Sequence, residues 1–506
     1  AAMHDSMKKL GNHGRSCWLL ALCAVGAAGG SLSLVACSSS SSAGTGSGGV
    51  TSVGAAGGAV VSAGTTGMSG GASVAGSSGT SGGGAANSAG SGGSVGTGSA
   101  GSSSSSGGTS AGGTSSSAGA AGKAGTGGES GGGGSAGGPA NTAWVGTWSV
   151  SPQSGGGGFK QQTLRQIVHT SISGTEARIQ LSNVFGAQPL NVSDAHIANR
   201  TMGSSIDMAS DKAITFGGKA SVTIPAGGLA VSDSVAFPVA ALSDVSVSFY
   251  VPDQVSGVTF HQQGTQTNYA AAGDVSGAKD LTNPQTNASY SLLVNLDVKN
   301  AAALGAVATL GASITDGYAS SQDKNLRWPN DLAKRLNTAG IVVGVLNQGI
   351  NGNTLLHDGS GESAIKRFKR DVVDQPGIKW VIFSDDPIND LGAGAGRPTG
   401  AQLITGLQQL VTAAHAANLK YLCSTLTPFQ GSGGWSADGE VARGQVDAFI
   451  RSATSGCDGI IDQDTATHDP ANVTKFLPAF NSGDSLHPNN AGLQAIANTV
   501  NLMLFK

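Results

Sequence analysis

Between Ser38 and Thr142 lie 105 residues with no Phe, Trp or Tyr and only two charges, Lys123 and Glu129. Thirty-seven of the chain's 82 glycines fall in this stretch, and Ser, Ala and Thr supply most of the rest. Fixing each backbone residue costs roughly 1–2 kcal/mol of entropy, and such a segment has too little apolar surface to offset it. The reading is therefore a disordered Gly/Ser/Ala/Thr linker over 38–142. Folding must be confined to the 364 residues from Ala143 to Lys506, enough for a large core or two smaller ones. The net charge of −3 gives no basic footprint for nucleic acid, so that class of partner is excluded.

The segment ahead of the linker reads as an address. Lys8, Lys9 and Arg15 precede an apolar run from Cys17 to Leu34, the pattern of a secretory signal. The run ends in Leu34-Val35-Ala36-Cys37, which resembles the bacterial lipobox. That resemblance implies cleavage before Cys37 and lipidation of its thiol, so 1–37 is assigned to a lipoprotein-type signal. A plain signal peptide and a single membrane helix are the alternatives. The expectation is a secreted protein, anchored through lipidated Cys37 to a membrane at the cell envelope or outer surface. The linker would then give the folded part a reach of roughly 50–60 Å. With Cys37 acylated, Cys423 and Cys457 remain as an even pair in an oxidising compartment, where a Cys423–Cys457 disulfide is permissible.

Two patterns follow the linker. From 143 to 300 the chain alternates apolar and polar residues, as over Thr163–Ser182 and Val245–Val251, with Gly, Pro and Asp at the breaks. This predicts a β-sandwich or jelly-roll-like accessory domain. From 301 to 506 apolar strand candidates (Ala306–Leu310, Ile341–Leu346, Trp380–Phe383, Tyr421–Leu426, Gly459–Asp462) alternate with amphipathic runs. The helix candidates are Leu326–Leu336, Ile365–Val373, Leu403–Ala414, Val441–Ile450 and Asn490–Leu504. Such alternation predicts an α/β domain with a doubly wound parallel sheet, whose chemistry belongs at the C-terminal ends of its strands.

Four blocks stand at those ends: Gly311-Ala312-Ser313-Ile314-Thr315-Asp316-Gly317, Asn347 to Thr354, Asp386-Pro387-Ile388-Asn389-Asp390, and Asp484-Ser485-Leu486-His487-Pro488. A serine at a strand-to-helix turn needs a base to become nucleophilic, and an Asp three residues before a His can reach its Nδ1 within one turn. Pro488 suits the first turn of the last helix. Together the blocks resemble those of the SGNH (GDSL-type) hydrolases, and the Trp144-Val145-Gly146-Thr147-Trp148 opening resembles that of a secreted bacterial subgroup.

The resemblance implies a flavodoxin-like three-layer domain and a serine esterase working through an acyl-enzyme, without cofactor or metal. It implies Ser313, Asp484 and His487 as the catalytic set, and the Ser313 N–H, the Gly352 N–H and the Asn389 amide as oxyanion donors. Gly352 is preferred to Gly349 because it is the later glycine of the block that begins at Asn347. Short acyl or acetyl esters, including polysaccharide esters, are the expected substrates. The alternatives are a lipase for longer acyl chains, or a catalytically impaired surface carbohydrate-binding protein on the same fold.

Two departures prompt the last alternative. Ala312 stands where the family has an Asp that supports the nucleophile turn, and Pro387 stands at a usual glycine. Asp385 and Asp386 are expected to put negative charge beside the cleft. Histidines 169, 196, 261, 357, 415 and 468 read as structural or surface groups, though His357-Asp358 could line the cleft and Trp435 could meet substrate. Gly67-Met68-Ser69-Gly70-Gly71 in the linker matches G-x-S-x-G without the strand and helix that the pattern requires. Gly349-x-x-Gly352 lacks the spacing of a nucleotide-binding loop.

Overall fold

The computed structural model describes residues 143–506 except 393 and 395. The segments read as signal, lipobox and linker, with Cys37 and the G-x-S-x-G match, lie outside the described residues. Two architectures follow one another in the chain. From Trp144 to Lys299 the described residues form strands, turns and bends, with no helix. Strand Glu176–Ser182 shows why: Ala177, Ile179 and Leu181 are buried while Glu176, Arg178 and Gln180 lie half open, a period of two that only a strand satisfies.

An antiparallel sheet of four strands runs in the order Trp144–Ser149, Leu293–Lys299, Glu176–Ser182, Leu229–Val231. A second antiparallel sheet is centred on Gln162–His169, Asp244–Val251 and Leu190–Asn199. Val145, Ile179 and Val298 of the first share one core with Leu164, Val192, Val247 and Phe249 of the second. That is the packing of a sandwich.

The parallel sheet comprises β1 (Gly305–Gly311), β2 (Val343–Gly349), β3 (Ile378–Phe383), β4 (Lys420–Ser424) and β5 (Gly459–Ile461). Its spatial order is 2-1-3-4-5, the flavodoxin-like arrangement. Helices α1 (Ser313–Asp316), α2 (Trp328–Thr338), α3 (Ala364–Phe368), α4 (Asp386–Asp390), α5 (Gly400–Ala416), α6 (Ala437–Arg451), α7 (Gln463–Thr467) and α8 (Asn490–Thr499) connect and flank the strands. α2 packs on α8, and α5 packs on α3 and α6. The apolar stripe Leu403, Leu407, Leu410, Val411 and Ala414 faces the core from α5, whose start is fixed by a Thr399–Gln402 capping box. α3 does not run unbroken to Val373 as expected; it widens into a π-turn over Lys369–Val373. The last helix stops at Thr499, and a 3₁₀ turn over Leu502–Phe505 ends the chain.

β2 lies at the sheet edge, and the sandwich covers it. Ser171 Oγ accepts from the Val345 N–H at 2.9 Å, and Leu346 and Ala306 belong to the sandwich's core. An exposed parallel edge would leave unpaired backbone groups, and the accessory layer removes that liability. On the far side of the sheet, the disulfide Cys423–Cys457 joins β4 to the turn before β5.

Candidate active site

Ser313 is the first residue of α1, directly beyond β1. Three donors around it converge on one carboxylate. Asp385 Oδ1 accepts from the Ala312 N–H at 3.0 Å and from Thr315 Oγ1 at 2.6 Å, and Oδ2 accepts from the Ile314 N–H at 2.7 Å. The fit explains Gly311: a Cβ there would lie 2.4 Å from Asp385 Oδ1.

Burial pushes the Asp385 carboxyl up, while the hydrogen bonds from Thr315, Ile314 and Ala312 hold it down. Two expectations are corrected here. The support that Ala312 gives up is supplied from β3's end by Asp385. Asp385 and Asp386 are also buried, so they do not charge the cleft. The consecutive apolar run of β3 ends at Phe383, and pattern alone could not say that the acids after it turn inward.

His487 Nε2 meets Ser313 Oγ at 2.9 Å, and His487 Nδ1 meets Asp484 Oδ2 at 2.6 Å. The other Asp484 oxygen accepts the N–H groups of Leu486 and His487, each at 2.9 Å. Partial burial works against the Asp484 charge, but the His487 ring and these N–H groups hold its carboxyl down at about 2. The turn that makes this possible has Ser485 at φ 61° and Gly483 at φ 114°. Pro488 is not in the first turn of the last helix: Asn489 is the N-cap, accepting from the Ala491 and Gly492 N–H groups. Rigidity comes instead from Asn481, whose side-chain oxygen accepts the Gly483 and Ser485 N–H groups.

Oxyanion donors must be N–H groups not already spent. Asp385 takes the N–H groups on either side of Ser313, and the Ser313 N–H has no acceptor among the described residues. The Gly349 N–H is engaged by Asn347 Oδ1 at 2.9 Å, whereas the Gly352 N–H has none. Gly352 sits at φ +77°, a conformation that favours glycine. Asn389 Nδ2 donates to Asn353 O at 2.7 Å, beside Gly352, with its second hydrogen unassigned. Pro387 is accommodated: it stands in the first turn of α4, where a missing N–H costs nothing.

One buried side chain unites these pieces. Arg367 donates to Gly311 O at 3.0 Å, to Gln348 O at 2.7 Å and to Asn353 Oδ1 at 3.0 Å, fastening the ends of β1 and β2 to the Gly352 loop. It belongs to the run Lys366-Arg367-Phe368-Lys369-Arg370, each of whose cations is met by a carboxylate. The Tyr318 ring lies 4.2 Å, centroid to centroid, from that of His487. Nothing in the sequence pattern singled out either residue.

His169, His196, His415 and His468 each face an Asp. His357 is exposed, its carbonyl accepting from Thr354 Oγ1. Trp435 packs against the α/β core. His261 is different, because it reaches Asp316 of α1 at 3.0 Å from the sandwich. Among the described residues no three His, Cys, Asp or Glu side chains gather as a metal site, and no helix is long and apolar enough to cross a membrane.

Residues 309–495 match the GDSL-like Lipase/Acylhydrolase family. Similar solved structures include a carbohydrate acetylesterase family member from Sinorhizobium meliloti, at 16% identity over 38% of this chain and 94% of that one, TM-score 0.32. An aryl esterase from M. smegmatis aligns at 16% identity over 38% and 95%, TM-score 0.32. An alpha/beta hydrolase from the metagenome of Lake Arreo, Spain, aligns at 21% over 39% and 94%, TM-score 0.30. No curated protein matches the chain.

Proposed function

Since the segment 309–495 belongs to the GDSL-like lipase/acylhydrolase family, and the protein is thereby a carboxylic ester hydrolase, we propose that Ser313 is its nucleophile. The carrying observation is the unbroken line from Asp484 Oδ2 through the His487 ring to Ser313 Oγ. Ser313 Oγ attacks the ester carbonyl as His487 Nε2 takes its proton, and Asp484 holds the ring's tautomer and supports the imidazolium. The carbonyl oxygen, now negative, receives the N–H groups of Ser313 and Gly352 and the amide of Asn389. Collapse expels the alcohol, protonated by His487. Water, deprotonated by the same nitrogen, then releases the acid and restores Ser313.

The substrates we propose are short acyl and acetyl esters, polysaccharide esters among them. Ser313 is only 5% exposed, so an ester must enter a recess to reach its Oγ. The 105-residue linker and the sandwich suit a polymeric alcohol held away from a surface. Lipidation at Cys37, and residence at the cell envelope, are part of the same proposal, supported by the lipobox-like Leu34–Cys37.

The test is hydrolysis of p-nitrophenyl esters from acetate to laurate by wild type and Ser313→Ala. The reading expects serine-dependent turnover that is fastest on acetate and butyrate. Turnover that rises towards laurate would replace the short-chain assignment with a lipase.

A further inference from the structure

We propose that His261, a residue of the β-sandwich, is a positioning residue for the Gly352 loop, so that the oxyanion donors are assembled by both layers of the protein. This rests on the serine mechanism above. His261 Nε2 lies 3.0 Å from Asp316 Oδ1, and both side chains are almost fully buried, at 2% and 1% exposure. Asp316 Oδ2 in turn accepts the Asn351 N–H at 2.8 Å. Asn351 Nδ2 donates to Gln263 Oε1 at 2.7 Å, a second tie from the same sandwich segment. The opposite ring nitrogen, Nδ1, lies 3.0 Å from Ser151 O, just beyond strand Trp144–Ser149.

The geometry gives these bonds a purpose. Asp316 closes α1, three residues after Ser313, and Asn351 immediately precedes Gly352. The two carboxylate oxygens of Asp316 therefore hold the sandwich on one side and the Gly352 loop on the other. They set the separation between the Ser313 and Gly352 N–H groups. Removing His261 leaves a buried carboxylate short of a donor, which must reorient or draw in water, and the Asn351 contact moves with it. A displacement of about 1 Å at an oxyanion donor is enough to cost ~10²-fold in rate. Substrate binding in the ground state does not depend on that donor, so the loss falls on kcat.

The experiment compares the full chain with His261→Ala, His261→Gln and Gln263→Ala on p-nitrophenyl acetate, with active sites counted by endpoint titration with a fluorophosphonate. Counting sites separates a damaged fold, which lowers their number, from a displaced loop, which slows each one. The proposal expects His261→Ala to lose ~10–10²-fold in kcat per titrated site with KM within about twofold. It expects Gln263→Ala to lose less, and His261→Gln, which keeps an amide donor, to recover most of the rate. Unchanged kcat per site in both His261→Ala and Gln263→Ala would overturn it. If His261→Ala yields no folded protein, Gln263→Ala decides: unchanged kcat per site overturns the proposal and a reduced one supports it. A wild type that neither labels nor turns over would overturn the serine mechanism, and this inference with it.

Discussion

Ser313, His487 and Asp484 meet through contacts of 2.9 and 2.6 Å, but the residue that shapes their surroundings is Asp385. Its carboxylate consumes the N–H groups of Ala312 and Ile314 and leaves that of Ser313 free to face a developing negative charge. Asp385→Ala should lower kcat on p-nitrophenyl acetate by ~10–10²-fold, with a smaller change in KM, because it loosens the turn without removing a reacting atom. Ala312→Asp should not improve on wild type, since the donors such a side chain would serve are already engaged. At Asp484 the carboxyl is held at about 2, so it stays ionised throughout the range of ordinary assays. Asp484→Ala should cost ~10²–10⁴-fold in kcat at every pH between 5 and 8, measured under saturating ester.

Among the elements, the parallel strands and the four blocks that follow them were readable from sequence. Strands such as Ile378–Phe383 carry a continuous apolar run, here Trp380–Phe383, and Ser313, Asn389, Asp484 and His487 recur in a known order. What stayed hidden needed three dimensions. Asp385 lies 72 residues from Ser313 in the chain, and His261 comes from a different layer, so no local period or spacing ties either one to α1. Pro387 prompts the impaired alternative because it replaces a usual glycine, whereas it stands in the first turn of α4, where a proline's missing N–H costs nothing.

The disulfide is an element-scale device as well. Cys423–Cys457 closes a loop of 34 residues that contains α6. Replacing Cys457 by Ser should destabilise the fold by ~2–4 kcal/mol and lower Tm by several degrees, while kcat at 25 °C is retained. Calorimetry beside an ester assay checks both halves.

For the molecule as a whole, stability should decline between mildly acidic and neutral pH. Burial pushes Asp386 up to about 7, against the nearby Arg367 cation 3.5 Å away. Burial likewise raises Asp447 to about 7, and Asp297 and Asp390 to about 6. In the unfolded chain these groups release their protons near 3.8, so between about pH 4 and 7 the folded state holds more protons than the unfolded one. Stability therefore falls as pH rises through that window. Asp462 and Asp484, each held at about 2, act oppositely: their contribution is present above 3.8 and is lost only on further acidification. Tm should thus peak near pH 4–5, and Asp386→Asn should flatten the decline, gaining ~1–3 kcal/mol at pH 8. A Tm that climbs steadily from pH 5 to 8 would contradict this.

The central claim, that Ser313 carries ester hydrolysis, is tested most directly by locating the covalent adduct. Wild type treated with a fluorophosphonate and digested for mass spectrometry should carry the label on Ser313, with p-nitrophenyl acetate hydrolysis lost in step with labelling and absent in Ser313→Ala. A label on another residue, or full hydrolysis by Ser313→Ala, would contradict the account.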